Sequence, residues 1–138
     1  MSNNKDKATI DGFGDEWERF DQSELEIGER RELFDRYFSI FPWEKLGDKP
    51  VGFDMGCGSG RWAKLIAPRV DKLHCIDPSS ALGIARINLK DEPNCEFHAA
   101  GVGDDVLPKN SVDFGYSLGV LHHIPDTSGG IKLSLIHI

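Results

Sequence analysis

Hydrophobic and polar positions fall into two regimes that meet near residue 50. Residues 1 to 22 are polar, with Phe13, Trp17 and Phe20 set among acids beside Gly12 and Gly14, a pattern that predicts an irregular arm with at most a helical turn. Ser23 followed by Glu26 has the spacing of a capping box, in which each side chain satisfies an exposed backbone N–H. An apolar stripe then builds through Leu33, Phe34, Tyr37, Phe38 and Phe41. This predicts an amphipathic helix that stops at Pro42, because the proline ring excludes helical backbone from the residue before it. Residues 42 to 50 read as loop.

Downstream the pattern changes to short apolar runs alternating with helical spacing. Val51 to Met55 is a strand candidate ending in glycines, and Arg61 to Pro68 carries Trp62, Leu65 and Ile66 at helical spacing. Lys72 to Asp77 predicts a second strand. Ser79 or Ser80 then caps a helix with Leu82, Ala85, Ile87 and Leu89 on one side. Asn94 to Ala100 predicts a third strand and Ser111 to Ser117 a fourth, separated by a turn-rich stretch. Such alternation predicts an α/β fold with a mostly parallel sheet and helices on both faces, since parallel neighbours need a crossover.

The glycine cluster carries the chemistry. In VGFDMGCGSGRW, Asp54 precedes Gly56, Gly58 and Gly60 at a strand-to-helix turn, where glycines let backbone approach a ligand and a helix start offers free N–H groups. The spacing is neither the G-x-G-x-x-G of a dinucleotide site nor a P-loop, so no pyrophosphate cradle is spelled out. Asp54 places a carboxylate where it would attract an amino group and repel a phosphate. Asp77, ending the next strand, sits where a carboxylate accepts ribose hydroxyls.

Composition narrows the field. At 138 residues and 39% hydrophobic, the chain can bury one core. Its net charge of −7 opposes a broad polyanion footprint, which argues against a nucleic-acid partner. No run is apolar enough for a membrane span and no signal peptide is evident, so a cytoplasmic location is expected. Cys57, Cys75 and Cys95 have neither disulfide-framework nor metal-knuckle spacing and read as reduced packing residues. No metal site is expected.

Asp54 with Gly56, Gly58 and Gly60 resembles the first motif of the class I S-adenosylmethionine-dependent methyltransferases, hydrophobic-x-D/E-x-G-x-G-x-G. Asp77 matches the family's ribose-binding acid, and GDDVLPKNSVDFGYSLGVLHHIPD, from Gly103 to Asp126, resembles the fourth-strand region of its methyltransferase type 11, ubiquinone-biosynthesis-like branch. The resemblance spans residues 51 to 126. It implies a Rossmann-like, doubly wound parallel sheet of which this chain holds the first four strands, behind an N-terminal helical arm. It also implies S-adenosyl-L-methionine as cofactor. Asp54 and the backbone of Gly56, Cys57, Gly58 and Gly60 would hold the methionine part, Asp77 with Pro78 the ribose, one of Gly103, Asp104 and Asp105 the adenine, and Leu118 the cofactor through its backbone. The implied activity is methyl transfer to a small-molecule acceptor.

His122 and His123, after the fourth strand, are candidates for a general base, or for structural histidines. Trp17 and Phe20 are candidates for a lid, or for anchors of the arm. An NAD-dependent oxidoreductase is disfavoured by the glycine spacing and by the lack of a Tyr-x-x-x-Lys pair. A cofactor-binding but catalytically incomplete fragment is the other alternative. In the implied fold the acceptor site draws on elements after the fourth strand, whereas residues 131 to 138, IKLSLIHI, show no helical or strand pattern and read as a foreign or truncated tail. The expected organisation is therefore residues 1–50 as arm, helix and loop, 51–130 as an incomplete cofactor-binding core, and 131–138 as tail.

Overall fold

The computed structural model describes residues 6–12 and 27–138. Four strands, β1 (Val51–Met55), β2 (Lys72–Ile76), β3 (Cys95–His98) and β4 (Phe114–Tyr116), form one sheet in the order β3-β2-β1-β4, with every pair parallel. The helices are α1 (residues 7–12), α2 (Ile27–Tyr37), α3 (Ala63–Ile66), α4 (Ala81–Asn88) and α5 (Thr127–Leu135). This is the predicted α/β fold, a Rossmann-like parallel sheet with helices flanking it. The capping box at Ser23 and Glu26, and Phe13, Trp17 and Phe20, lie outside the described residues.

Strand alternation sends side chains to two separate cores. On one face Leu73, Cys75 and Phe114 pack with Phe34 of α2 and Phe38 just after it, Ala63 and Ile66 of α3, and Leu82 and Ala85 of α4. On the other, Phe53, Met55 and Ile76 pack with Ala100, Val102, Leu107 and Val112 of the long connection before β4. Between β1 and β4 the sheet uses two reciprocal glycine–phenylalanine pairs. Gly52 is the register partner of Phe114 and Phe53 of Gly115, and each ring lies across the space where its partner's Cβ would stand. The two rings cover opposite faces, so close packing is achieved on both sides of one strand pair.

Several elements are shorter than their sequence patterns. β4 holds three residues where residues 111–117 predict a longer strand, and side-chain bonds to β1 flank it at both ends. Asp113 Oδ2 accepts from the Val51 N–H at 2.8 Å, and Ser117 Oγ donates to the Met55 carbonyl at 2.8 Å. The helix expected over 61–68 becomes α3 and then a 3₁₀ turn, Ala67–Arg69, where Pro68 has no N–H to continue the α ladder. α2 ends at Tyr37, before Pro42, and a turn closed by Phe41 N–H to Phe38 O redirects the chain.

The expectation that residues 131–138 lack helical structure is corrected. Asp126 accepts from the Gly129 N–H at 2.9 Å and caps α5, which runs through Leu135. Beyond it, the carbonyls of Ile136 and His137 accept from Asn110 and Val112, and the His137 ring is buried edge-on against Phe53. The segment packs on the second core. Cys57 and Cys75 are buried, Cys95 is half-buried, and all three are free thiols.

Candidate functional site

The site begins where β1 ends. Gly56 has φ +80° and its absent side chain leaves room for Val120, whose methyl groups would collide with any Cβ there. Its N–H and that of Cys57 both donate to the Ile76 carbonyl, at 2.7 and 3.0 Å, folding the glycine turn back onto the end of β2. Gly60, with φ +81°, serves packing instead: a Cβ there would press on Leu89 of the α4 end.

Asp77 follows β2 and is buried. Its Oδ2 accepts from the Gly58 N–H at 2.9 Å, and its Oδ1 accepts from the Ser79 N–H at 2.8 Å and from the Ser79 hydroxyl at 2.6 Å. Ser79 Oγ also accepts from the Ala81 N–H at 3.2 Å, so the side-chain cap of α4 comes from Ser79. A carboxylate offers about four acceptor directions, and three are used internally. The remaining one lies on Oδ2, so in this geometry Asp77 can take one further hydroxyl; a second requires Ser79 to release Oδ1.

Asp54 is also buried, but it points to the first core, where it accepts from the Tyr116 hydroxyl at 3.0 Å. Burial pushes its carboxyl up to about 7, against the stabilising pull of the Tyr116 bond and with a further push from nearby Asp77. Tyr116 is raised well above its ordinary value by the same burial and by the neighbouring carboxylate.

A cleft of about 420 Å³ opens at the carboxyl ends of β1, β2 and β4. Gly56, Cys57, Gly58, Asp77, Pro78, Leu118 and His123 line it. Of the other sequence candidates, Asp54, Gly60, Gly103, Asp104 and Asp105 do not line it. In the turn before β4 it is Gly101 and Val102 that reach the cleft, while the Asp104 carboxylate accepts from the Gly101 N–H at 2.8 Å. His123 ends the 3₁₀ turn Leu121–His123; the His122 side chain lies outside the described residues.

The cleft has further walls that the sequence reading did not assign. Ser79, Gly119, Val120 and Ile124 complete the strand-end side. Asp6, Thr9 and Ile10 of the arm, Tyr37 of α2, and Arg61 and Trp62 before α3 complete the other. Tyr37 meets Trp62 edge-on with centroids 5.4 Å apart, and the Arg61 guanidinium lies 4.4 Å over the Trp62 ring.

A family model described as a methyltransferase domain matches residues 53–132. No curated protein matches the sequence. Among solved structures, a putative S-adenosyl-L-methionine-dependent methyltransferase from Methanococcus maripaludis aligns over 100% of this chain and 63% of its own, with 19% identity and a TM-score of 0.74. An S-adenosylmethionine-dependent methyltransferase from Aquifex aeolicus aligns over 83% of this chain and 68% of its own, at 20% identity and 0.60. The YcgJ protein from Bacillus subtilis aligns over 75% and 46%, at 17% identity and 0.66. The chain thus spans 46% to 68% of the lengths of these three structures. With the family match covering more than half the chain, the chain belongs to the methyltransferase-domain family, and it shares the fold of these solved methyltransferases.

Proposed function

We propose that this chain binds S-adenosylmethionine in the cleft between Gly56–Gly58 and Asp77 and transfers its methyl group to a small-molecule acceptor, with residues 51–130 as the cofactor-binding unit. The observation that carries the reading is the junction of the glycine turn with the acid after β2. A turn with positive φ at Gly56 and Gly58, and one carboxylate with an open acceptor direction, meet on the same cleft wall. These features fit a ligand with a ribose, and the wall around Gly101, Val102 and Leu118 offers an apolar surface to a base.

When bound, the cofactor supplies an electrophilic methyl group on sulfonium sulfur. The chain's part is alignment. Asp77 would accept a hydrogen bond from a ribose hydroxyl on Oδ2, Gly56 would let backbone lie close to the cofactor, and Pro78 and Val102, which line the cleft, would limit water there. His123, which lines the cleft, would take a proton where the acceptor must lose one. Among the described residues no helix is long and apolar enough to cross a membrane. The net charge of −7 favours a small molecule over nucleic acid as acceptor.

The test uses methyl-labelled S-adenosylmethionine with small-metabolite extract, RNA and protein fractions offered separately. Label in the small-molecule fraction, reduced in His123→Asn with cofactor affinity unchanged, is the expected result. Label confined to RNA or protein overturns the acceptor class, and cofactor binding without transfer to any fraction favours a binding-only chain.

A further inference from the structure

The edge of the sheet away from β4 carries a second cluster of ligating side chains. In the β2–β3 register His74 faces Glu96 and Ile76 faces His98, so His74, Glu96 and His98 share one face. It is the face opposite Leu73 and Cys75, hence opposite the cysteines. His74 Nδ1 lies 3.0 Å from His98 Nε2, and Glu96 Oε1 lies 3.8 Å from the same nitrogen. One ligand atom from each residue falls within 4.8 Å of the other two.

We propose that His74, Glu96 and His98 bind one divalent transition-metal ion of the zinc class. Two ligands about 2.1 Å from a tetrahedral zinc stand about 3.4 Å apart, and the observed separations of 3.0 and 3.8 Å bracket that figure. Two imidazoles and a carboxylate suit zinc, nickel or cobalt, whereas calcium and magnesium call for oxygen ligands throughout. Glu96 is half-exposed, leaving room for water as a fourth ligand.

Lys72 Nζ sits 3.4 Å from Glu96 Oε2, the other carboxylate oxygen, in an exposed ion pair weak enough for a metal to displace. The ion would clip edge strand β3 to β2. It would also stiffen the backbone that holds Asp77, because the His98 carbonyl accepts the Asp77 N–H at 3.1 Å.

The experiment is titration of the full chain with cobalt(II), then zinc, followed by absorption spectroscopy and thermal melting. Expected are one cobalt per chain, a d–d spectrum without sulfur-to-cobalt charge transfer, displacement by zinc, and a melting temperature that rises with zinc. His74→Ala and His98→Ala should each weaken binding about 10-fold or more, and Cys75→Ser should leave it unchanged. Should a histidine variant fail to fold, diethyl pyrocarbonate labelling of the wild-type chain decides: zinc should protect His74 and His98. No saturable binding, a thiolate charge-transfer band, wild-type affinity in His98→Ala, or equal labelling with and without zinc overturns the proposal.

Discussion

The Gly58 N–H donates to Asp77 Oδ2 at 2.9 Å, so the glycine turn after β1 and the acid after β2 hold each other in place. One carboxylate thus has a structural and a ligand-facing duty, and the two can be separated by substitution. Asp77→Ala strips acceptors from buried Gly58 and from Ser79, and should cost about 1–3 kcal/mol of stability as well as cofactor affinity. Asp77→Asn keeps one acceptor oxygen and should cost less stability while still raising the cofactor Kd about 10-fold. Chemical denaturation beside ligand titration checks the pair; equal proportional losses in the two variants would assign Asp77 to bracing alone.

Gly56 and Val120 are predicted to be coupled. Gly56→Ala places a methyl group into the Val120 side chain at a backbone angle of φ +80°, and should destabilise the fold by about 2–4 kcal/mol. Val120→Ala should recover the steric part and leave about 1 kcal/mol of backbone strain. A double-mutant cycle by urea denaturation measures both terms.

Burial of Asp54 makes stability depend on pH with a definite sign. Its folded value, about 7, stands above its ordinary 3.8, so the fold binds a proton that the unfolded chain releases across that interval. The contribution is fully present below about pH 3.8 and is lost as pH rises through about 7, at most on the order of 4 kcal/mol. Asp54→Asn should flatten this fall. Tyr116→Phe removes the bond that favours the ionised form and should carry the midpoint higher, a shift readable from melting temperatures across pH.

The reciprocal pairs between β1 and β4 set a fourth stability test. Gly115→Ala forces a methyl group against the Phe53 ring, and Gly52→Ala does the same to Phe114 on the opposite face. Each should cost about 2–3 kcal/mol, and because the two glycines sit in consecutive register pairs of one strand pair, the double variant should depart from simple addition by more than about 0.5 kcal/mol. Calorimetry of the two single variants and the double variant checks this.

Legibility in the sequence followed how local the determining interaction is. The strands near 51, 72, 95 and 112, and the placement of Gly56 and Asp77 at strand ends, were readable because alternating patterns and glycine clusters are properties of neighbouring residues. Gly101 and Val102 carry no sequence signal as cleft walls, because the acid beside them, Asp104, turns its carboxylate back to the Gly101 N–H, a contact that only the folded turn creates. α5 was hidden by Gly129 and Gly130, weak helix formers, although Asp126 stood as a readable cap. Asp54 shows the opposite limit: its motif position is plain, yet its bond to Tyr116, 62 residues away, exists only once β1 and β4 pair.

Calorimetric titration of the wild-type chain and Asp77→Asn with S-adenosylmethionine, with NAD as the control ligand, tests the central claim most directly. Saturable one-to-one binding to the wild type, at least about 10-fold weaker in a folded Asp77→Asn and absent for NAD, is the predicted result. NAD binding without S-adenosylmethionine binding, or equal S-adenosylmethionine affinity in both chains, would contradict it.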